Sequence, residues 1–434
     1  MMSLSISPLN NRFSISIIFI SFFIATLYSQ KPLEHQKDML QQYSGVWYSS
    51  IDAQTDSISA NPLLRMTNIP TMDKSAMFVN VEQWEDGDYD PILSEFIGYD
   101  IKTNAIIATG QNGLGEMFHG EGSFSNPNNW HMEDTDMLDN KILLVDFKFY
   151  DQTDVLVTGT TPEHKELWST RYVKQNPKDK NIGIQLVSVH KQMQLDPNKT
   201  LRLLDRFGYS FIETFVYKDR GFYGFSPSEF KKMVNDNHLK FKGSMTFYDL
   251  PKNGEDWDNA LQWWANCIDD HLEAGVEYLT TSNTNLKNLD SLEELRAYCH
   301  YYNIIGKMCA EKGLKFAYHN HADEFLKIEG KTMYDFLLKN TDSEVVSFQA
   351  DLYWMHVGKA DPVDYLKAFP GRFFSWHVKD YQELGESGKM DFTRYFEYAG
   401  IAGLQYVVAE VEDYNFPPLF SVERAWSYLY YSIL

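Results

Sequence analysis

Apolar and polar residues alternate through the first third of the chain and then cease to alternate. From about Gly45 to Lys174 the period is two: Ala76–Gln83 reads AMFVNVEQ, Ala105–Gly110 reads AIIATG, Lys141–Tyr150 reads KILLVDFKFY, and Val155–Thr158 continues the pattern. Successive side chains on a strand point to opposite faces, so this alternation predicts half-buried strands. Asp86-Gly87, Lys102-Thr103-Asn104, Asn112-Gly113 and the Asn126–Asn129 cluster punctuate the runs with turn residues. About eight to ten short strands without a convincing helix predict an antiparallel barrel or sandwich over residues 30–175.

The pattern changes at the polar, proline-containing stretch Gln175–Lys180 (QNPKDK), read as a linker at 176–180. Beyond it, short continuous apolar runs alternate with amphipathic segments. The strand candidates end near Val189, Phe215, Ser244, Thr280, His319, Ala350, His377 and Glu410. Between them, helices are expected at Pro197–Phe207, Pro227–Asn235, Asp256–Glu273, Leu289–Lys312, Met333–Lys339, Pro362–Ala368 and Phe392–Tyr398, with a last helix at Ser421–Leu434. Ser291 followed by Glu294 is a capping-box signal, and Gly313 is placed to end the long helix. Strand and helix alternating in this rhythm over 181–434 predicts an α/β fold, a (β/α)₈ TIM barrel.

Ile15–Leu27 is almost purely apolar and follows Arg12, which fits a secretory signal peptide over residues 1–29. The expectation is an exported protein, periplasmic or extracellular, with no stable membrane insertion once the signal is removed. The 434 residues carry a net charge of −21, a field that repels phosphate backbones and argues against nucleic-acid binding. Three cysteines, Cys267, Cys299 and Cys309, are too few for a disulfide framework and contain no CxxC pair. Oligomeric state is not legible.

In a TIM barrel the chemistry sits at the C-terminal ends of the strands. Strand five ends in Tyr318-His319-Asn320-His321, strand six in Gln349-Ala350-Asp351, strand seven in Trp376-His377-Val378-Lys379-Asp380, and strand eight in Val408-Ala409-Glu410. One βα unit separates each of His319, Asp351, His377 and Glu410 from the next, so the four side chains should converge. Two imidazoles and two carboxylates suit a divalent cation, and Mn²⁺, Co²⁺, Mg²⁺ and Zn²⁺ all remain open.

Such a cation would assist removal of a proton next to a ketone by Lewis-acid stabilisation of several kcal/mol. A nearby base would add roughly 10²–10⁴-fold. Lys379, His321, Glu213 and Glu410 are the candidate catalytic groups, with Lys379 acting as a base if its pKa is depressed. Tyr318, Trp354, Trp376 and Tyr217 are candidates for stacking on a sugar ring. Asp380 is expected to orient His377 or Lys379, and the carboxylates after Glu410 are expected to be solvated.

Several runs carry a resemblance. Gly183–Val189 (GIQLVSV), Pro197…Leu201…Gly208-Tyr209 and Trp376–Asp380 (WHVKD) resemble the first strand, first helix and seventh strand of the sugar phosphate isomerase/epimerase superfamily, with its xylose isomerase-like barrel. That resemblance implies metal ligands from strands five to eight, matching His319, Asp351, His377 and Glu410. His319 stands where many epimerases have Glu, which weakens a two-carboxylate epimerisation. Tyr318-His319-Asn320-His321 is similar to the Tyr-His-His-His run of inosose dehydratases, and exported relatives cleave 3-keto-glycosides.

The reading is therefore a metal-dependent lyase that eliminates from a keto-sugar or glycoside. An isomerase/epimerase is the alternative, and a non-catalytic carbohydrate-binding protein the second. A nuclease, another activity of this superfamily, is opposed by the negative charge. Gly45-Val46-Trp47 and Trp168…Arg171 resemble a lipocalin-type barrel, so the first domain is expected to be lipocalin-like.

Overall fold

The computed structural model describes residues 34–50, 63–85, 88–252, 254–282 and 286–434. The expected signal peptide at 1–29 and the Asp86-Gly87 turn lie outside the described residues.

The alternating half of the sequence closes into a barrel. Its strands are β1 Gly45–Ser49, β2 Leu64–Pro70, β3 Ala76–Glu85, β4 Asp88–Asp100, β5 Ala105–Asn112, β6 Met117–Asn126, β7 Asn129–Asp136, β8 Lys141–Asp151, β9 Asp154–Thr160 and β10 Glu166–Lys174. Each pairs antiparallel with its chain neighbours, and β1 closes on β10. Of the two architectures the alternation allowed, the barrel is therefore the one formed. Its ten strands exceed the eight of a lipocalin. Burial follows the sequence period: along β9, Val155, Val157 and Gly159 face inward and their neighbours do not. A short helix, Glu34–Leu40, sends Met39 and Leu40 into one end of this barrel.

The second half forms the parallel barrel: β11 Ile182–Gln185, β12 Phe211–Thr214, β13 Lys240–Met245, β14 Tyr278–Thr281, β15 Lys315–His319, β18 Ser347–Asp351, β19 Phe373–Lys379 and β20 Tyr406–Glu410. The hairpin of β16 Lys327–Ile328 and β17 Lys331–Thr332 follows β15. Helices cover the outer face, so strands such as β19 are buried at every residue, which is why these runs read as continuous rather than alternating. Aromatic rings fill the barrel floor: Tyr278 lies 5.3 Å from Phe374 and 4.8 Å from Tyr406 between ring centroids.

Several boundaries differ from the sequence reading. The first parallel strand ends at Gln185 and not at Val189, because Leu186–Val189 turns into a 3₁₀ helix capped by the Gln185 side chain. The Ser291 hydroxyl accepts from the Glu294 amide, but Glu294 returns its bond to Asp290; the full reciprocal box forms instead between Ser226 and Glu229. Gly313 adopts a φ of +78°, as expected of a residue ending a helix. The Phe392–Tyr398 helix breaks into Phe392–Phe396 and Ala399–Ala402, and the last helix starts at Pro418, with Pro in its first turn.

The stretch joining the barrels is anchored on both sides. Asn176 accepts from the Val46 amide at 2.9 Å and donates to the Phe207 carbonyl at 3.1 Å. Beside it, Lys174 is buried against Glu423, donates to the Gln42 carbonyl at 2.9 Å and lies 4.5 Å from the centre of the Trp47 ring. Arg424 adds ion pairs to Asp38 and Glu386. The two barrels thus share a polar seam along the last helix. No helix among the described residues is long and apolar enough to cross a membrane.

Candidate metal and active site

Parallel register brings the ends of β15, β18, β19 and β20 side by side: His319 pairs with Gln349, Asp351 with His377, and Lys379 with Glu410. Ligand atoms of His319, Asp351 and His377 lie within 4.8 Å of one another, all buried. His319 Nε2 is 4.0 Å from Asp351 Oδ2, and His377 Nδ1 is 2.6 Å from Glu410 Oε2.

The second atom of each group is already committed. His319 Nδ1 bonds Gln349 Oε1 at 2.9 Å, His377 Nε2 bonds Glu213 Oε1 at 2.7 Å, and Asp351 Oδ1 accepts from the Trp354 amide at 2.8 Å. What remains are His319 Nε2, Asp351 Oδ2 and His377 Nδ1, facing one another. Asp351 Oδ2 is buried without a hydrogen-bond partner, while His377 Nδ1 is ion-paired to Glu410 Oε2. A buried carboxylate oxygen left this way is costly unless a cation takes it up. Mixed nitrogen and oxygen donors, each oriented by a further hydrogen bond, fit a divalent metal.

The electrostatics follow from burial and crowding. Burial, then the charge of Glu410, pushes Asp351 up to about 7, against the pull of Lys379 and His377. Burial acts to raise Glu410, but His377 and Lys379 hold it well below the usual carboxylate range. Burial works to lower His377, yet Glu213 and Glu410 hold it well above an ordinary imidazole. His319 is held well below one by burial and by its histidine neighbours.

His321 reaches the site from the loop just past β15. Its ring is 4.9 Å from His319 and 5.6 Å from Trp354. Nδ1 bonds Ser282 Oγ at 2.9 Å, and Glu324 accepts its backbone amide. Burial brings its pKa down to about 4, with Lys379 and His377 adding and Glu410 opposing, so the ring is neutral at pH 7. It borders a cavity of about 170 Å³ lined also by Phe247, Tyr248, Thr281 and Ser282.

Other expectations need correction. Lys379 donates to Glu410 at 3.0 Å and pairs with Glu412. Burial acts to lower its pKa, but Glu410, Asp351 and Glu412 raise it instead, so Lys379 is a cation and not a free base. Glu412, read as solvated, is exposed, and its carboxylate also pairs with Lys379. Glu213, read as an acid or base at the mouth, is fully buried below it. Its two oxygens take bonds from Gln185 at 2.8 Å, Tyr278 at 2.7 Å, Gln349 at 2.8 Å and His377. Both of its oxygens are thus committed to orienting other groups.

Of the four stacking candidates, only Trp354 stands at the site, with Lys379 Nζ 4.9 Å from its ring centre. Tyr318 is fully buried and donates to Glu324; Trp376 is fully buried against Phe396. Both precede an inward histidine by one residue and so point the other way. The Tyr217 hydroxyl is taken by Asp270 at 2.6 Å. Asp380 holds its own loop, accepting from the Tyr381 and Gly385 amides.

The sequence reading missed Gln185, Gln349, Tyr278 and Asn320. Gln349 sits two residues before Asp351, and that spacing alone puts it on the inner face. Asn320 ties β15 to β18, exchanging bonds with the backbone of Asp351.

With this geometry the lineage becomes definite. The profile of the xylose isomerase-like TIM barrel family matches residues 201–428, and the chain belongs to that family. A solved sugar phosphate isomerase/epimerase from Parabacteroides distasonis ATCC 8503 is 27% identical, covering 58% of this chain and 93% of its own, with a TM-score of 0.55. A second structure described in the same words, from the same organism, is 27% identical over 57% of this chain and 97% of its own, with a TM-score of 0.53. No curated protein matches the chain.

Proposed function

We propose that the chain is a metal-dependent enzyme that acts on a keto-sugar, beginning with removal of the proton next to the ketone, and that its reaction is β-elimination from a 3-keto-glycoside. The observation that carries this reading is the buried, unpartnered Asp351 Oδ2 facing His319 Nε2 and the His377–Glu410 pair, with a neutral His321 on one side and a cationic Lys379 on the other.

His319, Asp351, His377 and Glu410 would hold the divalent cation, which when bound supplies Lewis-acid stabilisation to the substrate's ketone. His321 takes the proton from C2 at Nε2, the ring nitrogen that Ser282 does not occupy. The C2–H electrons form a C1=C2 double bond as the C1–O bond breaks. The aglycone leaves with the electron pair and receives a proton from Lys379 or from water. Trp354, edge-on to His321, offers a stacking face for the ring. An exported location belongs to the same proposal.

His319, standing where many epimerases have Glu, supports elimination over epimerisation, which needs a proton donor on each face of the carbon. The two Parabacteroides relatives, named as isomerase/epimerases, favour the second reading: isomerisation or epimerisation at the same carbon. Incubation with a 3-keto-glycoside in D₂O separates the two. Release of aglycone with formation of an unsaturated sugar supports elimination. Deuterium at C2 with the glycosidic bond intact rejects it in favour of epimerisation.

A further inference from the structure

The N-terminal barrel takes no part in that chemistry, yet it encloses a cavity of about 560 Å³. One end is shut. The helix Glu34–Leu40 seals it: Gln36 exchanges two bonds of 2.9 Å with the Phe124 backbone, and Gln42 donates to the Pro127 carbonyl. Above this plug lies an aromatic floor, where Trp130 and Phe147 stack at 4.1 Å and Tyr43 meets both edge-on at 5.4 Å.

Among the described residues, the other end is an open mouth. In an up-and-down barrel the turns after β5, β7 and β9 share one end, and there Leu114, Met137, Leu138 and Leu167 are exposed. The cavity lining reaches that end through Asn112, Ile142 and Leu167. The opposite end carries Lys74, Thr153 and Lys174, which meet the TIM barrel, so the mouth faces away from it.

Into this apolar space project two carboxylates, Glu95 of β4 and Asp134 of β7. Asp134 is only 9% exposed, and no hydrogen bond or ion pair from a described residue reaches either group. Each sits opposite a glycine on the inner wall: Glu95 faces Gly110, and Asp134 faces Gly120, which is next to Ala108. A Cβ on Gly110 would come within 2.6 Å of Glu95 Cβ, and one on Gly120 would collide with the Asp134 carboxylate. The glycines therefore make room on the wall for the two acids and for Phe118 and Met132 beside them. Burial, with the charge of Asp134, pushes Glu95 up to about 8, and burial pushes Asp134 up to about 6. Unpaired carboxylates weaken an apolar core and are useless to a purely apolar ligand. They suit a ligand that brings a cationic hydrogen-bond donor.

We propose that this barrel binds an amphiphilic amine, its alkyl or aryl body on the aromatic floor and its ammonium group between Glu95 and Asp134, nearer the mouth. The inference stands apart from the chemistry proposed for the TIM barrel.

The test uses the full chain and the neutral fluorescent reporter N-phenyl-1-naphthylamine, displaced by decylamine, decanol or decanoate. Decylamine should displace it about tenfold more tightly than decanol, in line with a hydrogen bond to a charged partner, and decanoate should compete least. In Glu95→Gln/Asp134→Asn the reporter should still bind while the preference for amine over alcohol disappears. Equal displacement by decylamine and decanol in the unaltered protein would overturn the proposal, as would failure of the reporter to bind; that comparison needs no variant to fold.

Discussion

Glu213 Oε1 lies 2.7 Å from His377 Nε2, and this contact turns His377 Nδ1 toward Glu410, 2.6 Å away, and toward Asp351. The same carboxylate holds Gln349, which in turn holds His319 at 2.9 Å. One buried acid thus sets the direction of both imidazoles without facing the site itself.

Glu213→Gln should therefore weaken divalent-metal binding while leaving all four proposed ligands in place. Loss of an outer hydrogen-bond partner of a metal ligand typically costs about 10–100-fold in affinity, and a loss in that range is expected by isothermal titration with Mn²⁺. Unchanged affinity would mean that the histidines are oriented by packing alone.

His319 and His321 stand two residues apart but are assigned different work. His319→Ala should abolish stoichiometric metal uptake. His321→Ala should retain the metal and lower kcat on a 3-keto-glycoside by roughly 10²–10⁴-fold, the contribution of a positioned base. Metal content by atomic emission and steady-state rates on both variants check the division. A His321 variant that turns over normally removes it as the base.

How far the sequence spoke to this site is a matter of parity. His319, Asp351, His377 and Glu410 were legible because inward polar residues at strand ends stand out against continuous apolar runs. The same counting places Tyr318 and Trp376 on the outer face, one residue away from inward histidines, and Gln349 on the inner face. The function of Glu213 was not legible: a carboxylate at a strand end reads alike whether it faces the mouth or its neighbours, and its four partners come from four other strands. Period-two alternation likewise fits a sandwich as well as a barrel, since closure depends on β1 meeting β10 across the whole domain. The stretch after Lys174 reads as a polar linker, but what anchors it is the chance for Asn176 to bond the first strand and the first helix turn at once.

The seam between the barrels rests on a buried charge pair. Lys174→Met should leave Glu423 buried and unpaired and destabilise the protein by about 3–5 kcal/mol, seen as a fall in Tm. Adding Glu423→Leu should recover most of the loss, because replacing both charges removes the desolvation cost. If the double variant is no more stable than the single one, the pair matters for its shape and not its charge.

Glu95 predicts a pH dependence. Its carboxyl stays protonated in the folded chain up to about 8, against an ordinary value of 4.5 when exposed. Between those values the folded state binds more protons than the unfolded one, so stability present below about 4.5 is lost as pH rises through about 8. Glu95→Gln should match the parent near pH 4.5 and have the higher Tm near pH 8.5, measured by scanning calorimetry. A variant less stable at both pH values would show that the carboxyl makes bonds the amide cannot.

The central claim is that one cation is gripped by His319, Asp351, His377 and Glu410. Anomalous diffraction at the manganese edge, from crystals grown with Mn²⁺, tests it directly. The account predicts a single strong peak within about 2.0–2.3 Å of His319 Nε2, His377 Nδ1, and an oxygen each of Asp351 and Glu410. No peak there at saturating Mn²⁺, or a peak bound elsewhere with these side chains still paired to one another, would contradict it.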